Sequence, residues 1–161
     1  MDALALLKEQ STAADNQLMA VMKPVTPEQG AWRLPNWKAN PITPIFLHAV
    51  SGCDNLIAGL SEKPSLMEQG WKQKIALPRE WWTYDEKPET ELLLAYQAEV
   101  RKVVDAYLES ISPAVLEQIS ETPRGPRTIA SRLSTSLVTH KFQHTGDISA
   151  LLGCQGLQGL P

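Results

Sequence analysis

Twelve prolines divide this chain into stretches whose apolar residues recur at the spacing of an α-helix. Because proline lacks an amide donor and restricts the residue before it, a helix seldom continues past one. Apolar residues that recur every three or four positions lie on one face of a helix. Four stretches show this period, and none shows the alternation of a β-strand bounded by hairpin turns. The chain is therefore predicted to be all-α, and most simply a four-helix bundle.

Prolines, glycines and capping residues mark the ends of the four predicted helices. The helices cover residues 2–22, 43–59, 88–111 and 127–152. Thr43 is the expected N-cap of the second helix, with Pro44 in its first turn. Acidic residues fill the first turn of the third, where the helix dipole favours negative charge. Gly153 is the expected stop of the fourth.

The first two connections are longer than the loops of an ideal bundle, so we expect them to pack over one end of it. Trp32 and Trp37 are predicted to anchor the first connection. The second connection carries Trp71, Trp81, Trp82 and Tyr84. These rings either wall the mouth of a binding pocket or simply bury the connection against the bundle.

Size and charge limit the class of protein. A chain of 161 residues fits one domain, residues 1–161. With fifteen Lys and Arg against eighteen Asp and Glu and no basic run, nucleic acid is excluded as a partner. The N-terminus lacks a signal pattern, and no stretch is apolar enough to span a bilayer, so the expectation is a soluble, cytoplasmic protein without a membrane partner. Two cysteines a hundred residues apart form no metal or disulfide motif.

The three histidines of the chain all fall on predicted helices. His140 and His144 are four residues apart, which places both imidazoles on one helix face within reach of one metal ion. They continue an apolar stripe through Leu133 and Leu137, so they are predicted to face the core, and His48 has the same place on the second helix. Because a buried imidazole is costly without a partner, one shared metal ion would satisfy all three rings.

Two readings of the histidines remain open at this stage. Each could instead be a separate core residue bonded to a nearby hydroxyl, such as that of Ser51, Ser136 or Thr139. Three ligands on one ion would leave a coordination position open for water or substrate, as in catalytic zinc sites. An ion held by neutral rings could lower the pKa of a bound water or thiol.

Three segments of the sequence resemble the DinB-like, or YfiT-like, superfamily of metal-dependent enzymes. They are residues 40–48, residues 124–128, and residues 140–148, which read HKFQHTGDI and fit the HxxxHxGxI element of that family. The resemblance covers nearly the whole chain. It implies a four-helix bundle in which His48, His140 and His144 bind a divalent ion, zinc or nickel, with manganese or iron as further candidates.

Members of this family include S-transferases that use a low-molecular-weight thiol such as bacillithiol, and a mycothiol-dependent maleylpyruvate isomerase. The resemblance therefore implies that the ion activates a thiol cofactor, or a water, for transfer to an electrophilic small molecule. The second function class is a non-catalytic, stress-associated metal-binding bundle with an interaction role. A homodimer is a further expectation.

Five other residues are candidates for supporting roles. Asp147, three residues after His144, could orient a ligand imidazole or act as a general base through a water. Arg124 and Arg127 flank the Gly–Pro pair before the fourth helix and could hold an anionic group there. Trp81 and Trp82 could contact a cofactor or substrate at the pocket mouth.

Overall fold

The structure, a computed structural model, describes residues 2–78, 80, 83–123 and 125–160. Its elements in chain order are α1 (Ala3–Met22), α2 (Pro27–Ala31), α3 (Ile42–Ser61), a π-helical turn (Met67–Trp71), α4 (Lys72–Lys74), α5 (Thr90–Ser110), a 3-10 turn (Pro113–Glu117), β1 (Ile119–Ser120), β2 (Arg127–Thr128), α6 (Ile129–Ser134), a second π-helical turn (Thr135–Thr139) and α7 (His140–Cys154). The second π-helical turn joins α6 and α7 into one continuous helix. The long helices α1, α3, α5 and α6–α7 form the predicted all-α four-helix bundle.

If the direction of α1 is taken as up, α3 and α5 run down and the continuous α6–α7 helix runs up. α1 is antiparallel to α5, because Lys8 contacts Glu109 near one end while Asp15 contacts Arg101 further in. α3 and α5 are parallel: the Tyr96 hydroxyl donates to Asp54 in their middle, and the last residues of both helices line one cavity. α7 packs between α1 and α3, and α5 does the same on the opposite side of the bundle.

This topology explains the long connections that the sequence predicts. Because α3 and α5 are parallel, the chain over residues 62–89 must return the full length of a helix, about 30 Å for twenty residues. The first connection does pack over one end, where Gln155 donates to Gln29 and Thr90 to Val25. The expectation is wrong for the second connection, which runs along the side of the bundle.

Asp54 attaches this second connection to α3. Its carboxylate accepts the amides of Leu66 and Met67 at 2.9 and 3.0 Å, as well as the Tyr96 hydroxyl at 2.9 Å. Three donors therefore compensate the burial of this charge, which is 1% exposed. Trp71 then packs its ring against Tyr96, with centroids 5.3 Å apart.

Several helix ends differ by one or two residues from the predicted ones. The second helix begins at Ile42 with Pro41 as N-cap, because Thr43 is buried against Gly30 of α2 and does not cap. The third helix begins at Thr90, two residues after its predicted start at residue 88. The fourth begins at Ile129, since the two preceding residues pair in an antiparallel ladder with β1, which is too short to leave a period in the sequence. It continues through Gly153 to Cys154.

The aliphatic side chains of the four long helices form one core, and Trp32 packs against it as predicted. Trp37 is 73% exposed, so the prediction that it anchors the first connection is wrong. The turn before it contains Asn36 in the left-handed conformation, at φ 64°. In the part of the chain that the structure describes, no helix is both long and apolar enough to cross a membrane.

Candidate metal centre

Three imidazole rings converge at the seam between α3 and α7. The Nε2 atom of His140 lies 3.2 Å from Nε2 of His48 and 2.9 Å from Nε2 of His144. The three rings meet edge to face, with centroids 4.4 to 5.2 Å apart. The structure thus joins the three residues that the sequence singled out, and it joins them through the same ring nitrogen.

The antiparallel packing of α3 and α7 creates this convergence. His48 of α3 faces His144 of α7. One turn further along α3, the backbone of Gly52 faces His140. A Cβ added to Gly52 would lie 3.6 Å from Cε1 of His140. Cys53 secures the next contact, because its thiol donates to the carbonyl of Ser136 at 3.3 Å. A small residue at position 52 therefore lets the two helices approach with a histidine ring between them.

The expectation that the histidines face the core is wrong. All three are half-buried, whereas Lys141 and Thr145, one residue further along, are 1% exposed. The π-helical turn before His140 contains an extra residue, which rotates α7 relative to the stripe of α6. The rotation moves the histidines to the edge of the core, where a ligand can reach them.

Asp147 fixes the tautomer of His144. Its carboxylate lies 2.9 Å from Nδ1 of His144, so Nδ1 carries the proton and donates it to the carboxylate. In a neutral ring, Nε2 then has a lone pair, and this atom points at the other two histidines. A carboxylate behind a ligating histidine is the usual support of a metal site. The predicted orienting role of Asp147 thus agrees with this contact.

Burial favours the neutral, ligating form of two of the rings. Desolvation and the neighbouring His144 lower the pKa of His48. Desolvation, together with His144 and His48, lowers the pKa of His140 to about 4. Both rings are therefore unprotonated at neutral pH, as metal ligands must be.

The donor set fits a divalent transition metal. Nitrogens at 2.0–2.1 Å from a tetrahedral zinc ion lie about 3.4 Å from one another, close to the separations in this cluster. Three Nε2 atoms this close direct lone pairs or protons at one another, which is unfavourable. A cation between them removes this repulsion, because it accepts all three lone pairs. The alternative reading, in which each histidine bonds to a separate hydroxyl, does not describe these contacts.

Cys53 does not belong to the donor set, as the sequence indicated. Its thiol also donates to the Ala49 carbonyl at 3.4 Å, and burial raises its pKa to about 11. Trp71 and Tyr84 bury the second connection, since Tyr84 is 2% exposed and donates its hydroxyl to Ile75. Arg127 is exposed on β2 and lines a cavity. Arg124, Trp81 and Trp82 lie outside the described residues.

Sequence reasoning missed a charged network on the core face of α7. Lys141 forms a buried ion pair with Asp15 of α1, whose carboxylate also accepts from Arg101 at 2.6 Å and from Gln97 at 3.1 Å. Asp15 is 4% exposed and Lys141 1%. The signal in the sequence was a pair of opposite charges, each within the apolar stripe of a helix.

Comparison with known proteins places the chain in a family. The sequence profile of the DinB superfamily matches residues 10–148, which include all three histidines and Asp147. A protein of Enterococcus faecalis, solved as the "conserved protein of locus", has a similar fold with a TM-score of 0.78 and 21% identity, over 95% of this chain and 99% of that one. No curated protein matches the sequence. Because the profile match spans most of the chain, the protein belongs to the DinB superfamily.

Proposed function

We propose that this protein is a metal-dependent enzyme in which His48, His140 and His144 hold one divalent ion, zinc or nickel. The observation that carries the proposal is the convergence of three Nε2 atoms, with adjacent separations of 2.9 and 3.2 Å. The lowered pKa values of His48 and His140, and the Asp147 carboxylate behind the ring of His144, support it.

Three neutral ligands suit a catalytic site better than a structural one. Structural zinc sites use four protein ligands, whereas catalytic sites use three and leave a position for water or substrate. Among the described residues, no cysteine or carboxylate joins the three histidines as a fourth ligand. A divalent ion bound there would lower the pKa of a coordinated thiol or water and supply a nucleophile at neutral pH.

The surrounding protein would prepare this chemistry. Asp147 holds the His144 ring with its lone pair toward the cluster. The three rings are only partly buried, and we propose that a small molecule reaches the cluster from its solvent side. We propose that a low-molecular-weight thiol or a water loses its proton and attacks an electrophilic small molecule here, whose leaving group departs with the electron pair of the broken bond and takes up a proton. The protein would then act as an S-transferase or a hydrolase.

Metal analysis tests the site. Protein purified without chelator should hold about one equivalent of a transition metal, and His144→Ala should lose it. Gln143→Ala, which changes an exposed neighbour on the same helix, should keep it. The site would be refuted by two results together. The purified wild type would hold well under one equivalent of metal, and in added zinc His144→Ala would melt at the same temperature as the wild type.

Cobalt substitution tests catalysis against a structural role. A three-histidine site with an open position should change its visible spectrum when a small thiol such as mercaptoethanol binds. A spectrum that no thiol or anion alters would support the non-catalytic, stress-associated bundle instead. A screen of thiols against electrophiles, with metal-depleted protein as control, then identifies the reaction.

A further inference from the structure

A cavity lies on the seam between α3 and the continuous α6–α7 helix, the seam that also holds the three histidines. Its volume is about 240 Å³, and Leu56 of α3 and Ser136 of the π-helical turn form part of its lining. Leu56 follows Gly52 by four residues, and Ser136 precedes His140 by four. Since four helical residues rise about 6 Å, the cavity occupies the next turn of the seam beyond the histidines.

Two arginines give this cavity its charge. Arg127 on β2 and Arg132 on α6 both line it, and no acidic residue does among those described. The structure describes four arginines, of which Arg33 and Arg101 form ion pairs with carboxylates. Within the described ranges, Arg127 and Arg132 pair with no carboxylate, although Arg132 donates one N–H to the Ser120 hydroxyl at 2.5 Å.

Two guanidinium groups that have no carboxylate partner among the described residues thus line one cavity, in a chain of net charge −3. Each offers several N–H donors in a planar fork, which matches the two oxygens of a carboxylate or phosphate. Arg132 uses one of its donors on Ser120 and so keeps others for a ligand. The contact with Ser120 also links α6 to β1 and limits the movement of the guanidinium.

From this arrangement we infer that the cavity binds the anionic end of the small molecule whose other end reaches the metal centre. The inference rests on the proposed function, and it adds a substrate class to it: a thiol or electrophile with a carboxylate, or another anionic oxygen group, several bonds from its reacting atom. A molecule held at both ends has its reactive atom positioned at the open side of the histidines.

The test compares two thiols of equal length with cobalt-loaded protein. Mercaptohexanoate ends in a carboxylate and mercaptohexanol in a hydroxyl, and the thiolate-to-cobalt absorption band reports the binding of either one without turnover. The wild type should bind mercaptohexanoate about tenfold more tightly than mercaptohexanol, because charge-assisted hydrogen bonds to arginine favour the carboxylate.

The double variant Arg127→Met/Arg132→Met should bind both thiols with equal affinity. Arg127→Lys/Arg132→Lys keeps the charges and should preserve part of the preference. Arg33→Met, which removes an arginine already paired with Asp85, should leave the preference unchanged. If the double variant is unstable because the contact with Ser120 is lost, Arg127→Met alone should still reduce the preference.

Failure of the inference and failure of the proposed function give different results. Equal binding of the two thiols by the wild type, or a preference that survives the double variant, overturns the anion site while the thiol chemistry stands. If neither thiol binds cobalt, the thiol-transfer form of the proposed function fails. Hexanoate titrated against the arginine Nε–H signals in NMR then tests the cavity alone, and unshifted Arg127 and Arg132 signals refute it.

Discussion

At the scale of single residues, the half-exposed carboxylate of Asp147 orients the half-buried ring of His144, whose Nε2 lone pair then points at the other two histidines. The contact is local, three residues along one helix, and both its partners were visible in the sequence. The histidines themselves were equally visible, because a spacing of four defines a helix face. The Asp15–Lys141 pair was not foreseen, since it joins residues 126 positions apart and depends on how α1 packs on α7.

Removing the Asp147 carboxylate should weaken metal binding without weakening the fold. Asp147→Ala is expected to lower metal affinity about 10–100-fold, because His144 loses the partner that fixes its tautomer. Affinity can be measured by competition with a chelating dye. Asp147 is exposed, so the melting temperature of the metal-free protein should stay within a degree or so of the wild type. Unchanged affinity would contradict the orienting role.

The two ends of the buried ion pair should differ in their effect on stability. Asp15→Leu leaves the Lys141 ammonium buried without its carboxylate and should cost about 3–5 kcal/mol in the free energy of unfolding. Lys141→Met should cost less, about 1–2 kcal/mol, because Asp15 keeps its contacts with Arg101 and Gln97.

Urea unfolding gives both values. Lys102→Met, which breaks an exposed ion pair with Glu99, is the control and should change the free energy of unfolding by less than about 1 kcal/mol. A Lys141→Met variant less stable than Asp15→Leu would show that the ammonium, and not the carboxylate, is the centre of the network.

At the scale of elements, the apolar period located all four long helices, but it could not show how α7 is rotated. The π-helical turn at Thr135–Thr139 has no proline or glycine to mark it, and it changes which residues of α7 face the core. The order of the helices in space was also hidden, because periodicity describes one helix at a time. The two-residue strands β1 and β2 are too short for any pattern.

Gly52 provides a test of the close approach between α3 and α7. Gly52→Ala should stabilise the protein by up to about 1 kcal/mol, because alanine favours a helix and its Cβ would lie at an ordinary 3.6 Å from His140. Gly52→Leu should push its branches into the imidazole and lower metal affinity. Thermal melts and dye competition measure the two effects.

Gly59 is the matched control on the same helix, since nothing lies within 4 Å of an added Cβ there. Gly59→Ala should give a similar gain in stability, and Gly59→Leu should leave metal affinity unchanged. Equal loss of affinity in both leucine variants would mean that the effect comes from the helix and not from the contact with His140.

At the scale of the whole molecule, the three histidines that we propose as ligands connect the two halves of the chain. His48 and His140 are 92 residues apart, on helices that are antiparallel neighbours. A metal that binds only the folded state stabilises it by about 2.7 kcal/mol at one hundred times its dissociation constant. Added zinc should therefore raise the melting temperature of the wild type, and His144→Ala should abolish this rise.

The metal-free protein should lose stability as the pH falls below neutrality. The pKa of His140 is lowered to about 4 in the folded protein, against about 6.5 in an unfolded chain. Between these values the unfolded chain binds the proton first, so the stability contributed by the neutral ring is complete above about pH 6.5 and declines toward pH 4.

Melting temperatures from about pH 7.5 to pH 5 measure this decline, with His140→Gln as a control that has no titrating ring at this position. The variant should lose less stability over this range than the wild type. Identical curves for the two proteins would refute the lowered pKa of His140.

The separation of the ligands along the chain also determines when the centre can form during synthesis. A ribosome adds about 5–20 residues per second, so roughly 5 to 20 seconds pass between the incorporation of His48 and that of His140. During this time a metal ion meets only one ligand, which cannot hold it. The proposed three-histidine site is therefore complete only after α7 has packed against α3, so an ion held by all three rings binds the folded bundle.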